Sequence, residues 1–100
     1  MQENDWKDIQ ESYPHAFESC KEYFMHRYFY AWRTKMRDLT KIIEFFRTKG
    51  IGIQITGING YWYSKLWRNE KLIETLKGQE PESEATSQTI KKAFKVLEET

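Results

Sequence analysis

Gly50-Ile-Gly-Ile-Gln-Ile-Thr-Gly-Ile-Asn-Gly-Tyr-Trp-Tyr-Ser-Lys-Leu-Trp67 is the stretch on which the fold turns. Isoleucine recurs at every second position, Ile51, Ile53 and Ile55, with Gly52, Gln54 and Thr56 between. That period puts one set on a buried face and the other on an open one, as in a half-buried strand. Asn59-Gly60 follows, and both residues tolerate the positive φ of a type I′ hairpin turn. A two-residue loop there predicts strands near 51–58 and 61–68. It sets Ile58 opposite Tyr61, Thr56 opposite Tyr63, Gln54 opposite Lys65, Ile55 opposite Ser64 and Ile53 opposite Leu66. Trp62 joins the isoleucine side. Tyr61, Tyr63, Lys65 and Trp67 share the other side with Gly52, Gln54, Thr56 and Ile58. A slip of one residue exchanges the two faces.

Working outward, Leu72 to Leu76 reads as a third antiparallel strand, with helix as the competing reading over so short a run. Gly78 to Ser83 is polar, contains Pro81 and reads as a loop. Ile90, Ala93, Phe94 and Leu97 then mark one face of a last helix, with acids near its start that suit the macrodipole. Upstream, Leu39, Ile42, Ile43 and Phe46 predict a helix that Gly50 stops. Arg33-Thr-Lys-Met-Arg37 reads as a charged joint before it. Phe17, Cys20, Phe24 and Tyr28 form a helical stripe behind Pro14, which suits a first helical turn. Tyr23, Phe29, Tyr30 and Trp32 lie off that stripe, so the end of this helix is either buried between neighbours or offered to a partner. A short helix from Trp6 to near Ser12, capped by Asn4 or Asp5, precedes it. The expectation is one α+β domain over residues 1–100: N-terminal helices, a three-stranded antiparallel meander and a C-terminal helix.

Ile, Leu and Val number 15 against 16 for Phe, Tyr and Trp, so this core depends on aromatic area. The single cysteine, Cys20, leaves no partner for an intramolecular disulfide and too few thiols for a cysteine-based zinc site. The acidic N-terminus reads as no signal peptide, and no apolar run approaches a membrane span, so the cytoplasm is the expected compartment. Charge is unevenly distributed behind a net +1. Residues 1–19 carry −4, 20–50 carry +5, 65–77 carry +2 and 78–100 carry −2.

Catalytic chemistry finds little to work with. Glu22 and His26 share a helix face, but two ligands do not fix a metal. Cys20 continues the apolar stripe and reads as a small buried residue. Glu18 and Glu22 stack as exposed acids do on a helix rim. No phosphate-cradling glycine motif is present; Gly57-Ile-Asn-Gly60 joins two strands, where the nucleotide-clamping G-x-x-G loop joins two helices. The expectation is no catalytic residue, no metal and no cofactor.

Two surfaces carry the binding chemistry. The hairpin's outer side offers Tyr61, Tyr63, Lys65 and Trp67, either open to a partner or covered by the first helices. The basic middle offers Trp32, Arg33, Lys35 and Arg37 to a protein. With Arg27, Tyr30, Lys41 and Arg47 the same region suits nucleic acid.

From residue 37 onward the order helix, three strands, helix resembles a double-stranded-RNA-binding domain. That family uses lysines at the start of its last helix, where this chain has Glu82-Ser-Glu84, with Lys91, Lys92 and Lys95 further on. Asp5-Trp-Lys-Asp-Ile9, Tyr13-Pro-His-Ala-Phe17, Arg37-Asp-Leu39, Glu44-Phe-Phe46, Gly50-Ile-Gly-Ile53 and Ala93-Phe-Lys-Val-Leu-Glu98 resemble small uncharacterised proteins of Bacteroidota and their phages. That resemblance implies an α+β fold and a mobile-element accessory protein. Such a protein would bind and modulate a host protein or ribonucleoprotein, for example as an inhibitor of a CRISPR effector. A single-stranded or structured RNA- or DNA-binding module is the alternative, and a small enzyme the third reading.

Overall fold

The computed structural model describes residues 1–79 and 81–100. Helices α1 (Glu3–Ser12), α2 (Pro14–Tyr28), α3 (Trp32–Met36) and α4 (Leu39–Thr48) lead into strands β1 (Ile51–Ile58), β2 (Tyr61–Arg68) and β3 (Lys71–Gln79), and α5 (Glu82–Glu98) closes the order. The fold is α+β, with a meander of order β1-β2-β3. Among the described residues, no helix is long and apolar enough to cross a membrane.

The hairpin forms in the register the turn dictates. Asn59 and Gly60 have φ of 52° and 81°, and Ile58 pairs with Tyr61, Thr56 with Tyr63, Ile55 with Ser64 and Ile53 with Leu66. Ile51, Ser64 and Leu66 are buried, so the predicted inner face is the one that meets the helices. A second turn, Asn69-Glu70, has positive φ at both residues, 49° and 70°, and gives β3 as a strand and not a helix. β3 departs from straight pairing between Leu66 and Trp67 and between Trp62 and Ser64. Ile73 therefore stands as an extra residue at the first irregularity. Asn69 alone hints at the turn, since glutamate carries no preference for the left-handed region, and nothing at Ile73 announces the bulge.

Helices α4 and α5 pack on the inner face. Phe46 meets Phe94 edge-on at 4.9 Å, and Phe45 joins Phe46 at 5.1 Å. Tyr23 of α2 reaches Phe45 at 5.3 Å, and Trp6 of α1 reaches Phe94 at 6.1 Å. Aromatic rings thus connect four helices through one core. Two buried hydroxyls inside it are paired: those of Ser64 and Thr89 lie 2.7 Å apart, and Thr89 also bonds the Ala85 carbonyl at 2.7 Å. That carbonyl only accepts, so the Thr89 proton goes to it and the Ser64 proton closes the pair.

Four local readings change. α1 begins at Glu3, with Asp5 inside its first turn, because the Asp5 carboxylate accepts the Gln2 N–H at 2.9 Å. Residues 33–36 are helical rather than a joint, with Arg37 as the C-cap, since Met36 is buried and ties α3 to the core. On α4 the buried face is Ile42, Phe45 and Phe46, with Ile43 half-buried. Finally, β3 continues through Gly78 to Gln79 and α5 starts at Glu82, so the loop expected over 78–83 shrinks at both ends; Glu80 lies outside the described residues.

Two long-range carboxylate contacts fix the helix ends. Glu98 Oε1 accepts the Ala16 N–H at 2.6 Å, at the start of a helix whose N-cap, Tyr13, has no capping side chain. Asp5 accepts from Ser87 Oγ at 3.1 Å and pairs with Lys91 Nζ at 2.9 Å, tying α1 to α5. The Gln2 backbone N–H, then Lys91, hold the Asp5 pKa below its usual 3.8, and Asp5 in turn raises that of Lys91.

Two experiments check this account. Gly60→Val should destabilise the fold by about 1–2 kcal/mol, and Glu70→Gly should stabilise it by a similar or smaller amount, through the left-handed backbone alone. Both would be read as shifts of the urea midpoint at constant slope. For Asp5 the folded pKa lies below the unfolded one, so its stabilisation is complete above about pH 4 and is lost as pH falls through the folded value. Asp5→Asn should therefore melt lower at pH 7 and lose less of its melting temperature between pH 4 and pH 2 than the parent does.

Candidate functional site: two aromatic and basic surfaces

The sheet's outer face follows from strand parity. Tyr61, Tyr63, Lys65 and Trp67 alternate with the buried Ser64 and Leu66 along β2, and pairing adds Ile58, Thr56, Gln54 and Gly52 from β1. β3 contributes Leu72 beside Trp67 and Thr75 beside Lys65. Lys65 is exposed, Tyr63 and Trp67 are half-buried, and Ile58, Tyr61 and Leu72 are 53%, 49% and 53% exposed. The face is thus open, not covered by the first helices. It carries a groove of about 360 Å³ between Gln54, Thr56, Ile58, Tyr63, Lys65, Thr75 and Lys77. At its far end Trp67 lies against Gly52 and borders a second groove with Arg47, Asn69 and Glu70.

The basic middle breaks into separate clusters on the helical side. Arg33 lies 4.8 Å from the Trp32 ring, and Lys21 lies 5.6 Å from the same ring. Lys35 and Lys41 approach Tyr28 at 5.8 and 5.5 Å. Arg27 lies 5.8 Å from Tyr23, and its hydrogen bond with the Tyr28 side chain raises its pKa further. Arg37 is ion-paired with Glu3 of α1. Arg47 stands apart, in the Trp67 groove. So α3, which packs on α2 and α4, brings Trp32, Arg33, Lys35 and Arg37 into one region, while Tyr61, Tyr63, Lys65 and Trp67 form another on the opposite side of the sheet.

Apart from Arg47, each of these cations lies over a ring or against a carboxylate of its own chain, an arrangement worth little individually at exposed sites. Two lysines of α5 are also engaged. Lys91 pairs with Asp5 and Asp8 at 2.9 and 3.5 Å, and Lys92 with Glu74 at 3.4 Å. They brace α5 against α1 and β3.

Cys20 is fully buried, and burial pushes its thiol pKa up. Glu22 and His26 line a shallow hollow with Arg27 and Lys49. Among the described residues, no three His, Cys, Asp or Glu side chains come together to hold a metal ion.

This chain matches no protein-family model, no curated protein and no solved structure.

Of the aromatics read as lying off the α2 stripe, Phe29 and Tyr30 are exposed, and the backbone at Phe29 escapes the sequence patterns. Phe29 opens the 3₁₀ turn Phe29–Ala31 with φ 53° and ψ −125°, a conformation that favours glycine. Its side chain is 74% exposed, and Tyr30 beside it is 98% exposed. Three aromatics in a row, Tyr28-Phe29-Tyr30, signal a crowded helix end; the backbone strain there is decided by the sharp turn from α2 into α3. Leu72 was equally hidden, since its side of the sheet depends on pairing with Trp67.

An exposed bulky residue in a strained conformation gives a clear expectation. Phe29→Gly should raise the stability of the free protein by about 1 kcal/mol, measured by chemical denaturation, whereas a Phe29 that packs into the core would make the same change destabilising.

Proposed function

We propose that this chain is a non-enzymatic binding protein that docks another protein on the outer face of its sheet. The observation that carries the reading is the one-sided packing of the meander. α4 and α5 cover its inner face, while Ile58, Tyr61 and Leu72 stand half-exposed around Lys65 on the outer one. Apolar and aromatic side chains on a flat, rigid surface are what desolvated anchors require. Tyr61 and Trp67 are the anchors, with Tyr63 and Lys65 between them. Trp32, Arg33, Lys35 and Arg37 steer the approach of a partner with complementary charge. The resemblance to small proteins of Bacteroidota and their phages supplies the context: an accessory protein that modulates a host protein or ribonucleoprotein, of which inhibition of a CRISPR effector is one instance.

Nucleic acid is the weaker reading because the basic residues are dispersed and lie against rings and carboxylates of the same chain. The test is a pull-down from Bacteroidota lysate with and without nuclease, followed by kinetics on the captured partner. Capture should survive nuclease. Tyr61→Ala with Trp67→Ala should weaken affinity about thirty-fold or more, with the melting curve checked for folding. Ala at Arg33, Lys35 and Arg37 together should slow association more than it speeds release. Sub-micromolar binding of naked RNA at roughly 150 mM salt, with a log–log salt slope of about −3 or steeper, would reverse the assignment.

A further inference from the structure

A groove of about 290 Å³ opens between α1, α2 and α3, away from the sheet. Trp6, Phe17 and Trp32 give it aromatic walls, and Lys7, Lys21 and Arg33 stand around it, one cation from each helix. Lys21 and Arg33 both lie against the Trp32 ring, and none of the three cations has a carboxylate partner among the described residues. The fourth cation of the groove, Arg37, is bound to the Glu3 carboxylate, so the site already accommodates one carboxylate. Trp6 is 9% exposed, and its Nε1–H is buried inside the protein, so its ring meets the groove as an apolar wall.

We propose that this groove binds an acidic peptide segment of the protein partner. One apolar side chain of the segment lies between Phe17 and Trp32, against the Trp6 ring, and its carboxylates meet Lys7, Lys21 and Arg33. Charge decides between peptide and nucleic acid. The cations arrive singly from three helices, and Glu3 stands among them on the rim. A peptide can set carboxylates at the cations and a neutral residue beside Glu3, whereas a nucleic-acid strand carries an anionic phosphodiester at every step. The proposal rests on the reading of the chain as a protein binder and adds the partner's chemistry.

The four tryptophans separate the two sites in one spectrum. The full chain, labelled with ¹⁵N-tryptophan and assigned by single Trp→Phe variants, is titrated with acetyl-Glu-Asp-Phe-Asp-Glu-amide. The neutral peptide acetyl-Gln-Asn-Phe-Asn-Gln-amide and hexauridylate serve as comparisons. The acidic peptide should shift the Trp6 and Trp32 indole signals saturably and leave Trp67 in place. Lys21→Gln and Arg33→Gln, both at the surface, should each weaken binding by about threefold or more with the remaining spectrum unchanged. Movement of Trp67 alone would assign the acidic segment to the sheet, ending this proposal while the sheet reading stands. Equal shifts from the neutral peptide, stronger ones from hexauridylate, or none from the acidic peptide at millimolar concentration would also overturn it.

Discussion

Two consecutive left-handed residues, Asn59 and Gly60, set the parity of the sheet, and both faces of the molecule follow from that parity. Because side chains alternate along a strand, a turn of two residues assigns Ile51, Ile53 and Ile55 to the same side as Ser64 and Leu66. Only that side is apolar enough to receive α4 and α5. Moved by one residue, Lys65 and Trp67 would have to fit beneath the helices, and the buried Ser64–Thr89 hydroxyl pair would be separated. The outer surface exists because the inner one is fixed.

Beneath the sheet, aromatic rings take the place that aliphatic side chains fill in most small domains. Phe24, Phe45, Phe46 and Phe94 are fully buried and touch through edge and tilted contacts. A few large rings let five helices share one core with a chain of 100 residues. The same economy explains the carboxylates at the helix ends. α2 has no capping side chain of its own and takes Glu98 from the far end of α5. α1 is short, and Asp5 fastens it to Ser87 and Lys91. Acids that look like solvated charge along the sequence thus hold the helical layer together.

The proposed division of labour between the two surfaces has the same origin. One-sided packing leaves the outer side of the sheet open, which suits the contact proposed for Tyr61, Tyr63 and Trp67. The helices on the other side meet at angles, leaving a groove where Trp6 and Trp32 stand among cations. A protein with two distinct contact surfaces can hold a partner at two points, and joined contacts add strength without either being tight.

The sequence by itself determined the hairpin, its register and its faces. Each depends on contacts between near neighbours and on φ preferences, which Asn59-Gly60 and the isoleucine alternation express locally. It also determined the α5 face through Ile90, Ala93 and Phe94, and the stop of α4 at Gly50, whose φ is 77°. Tertiary structure alone decided the rest. Asn69-Glu70 turns because β3 must return along β2, not because glutamate prefers a positive φ. Residues 33–36 became a helix because Met36 found a buried seat. The aromatic and basic residues of the middle looked like one patch because they are adjacent in sequence. Folding distributed them among Tyr23, Tyr28, Trp32 and Glu3, since a helix sends neighbouring side chains to different faces and each cation settles on the ring or carboxylate within its reach. The groove holding Trp6 had no sequence signature at all, because its walls come from helices that only packing brings together.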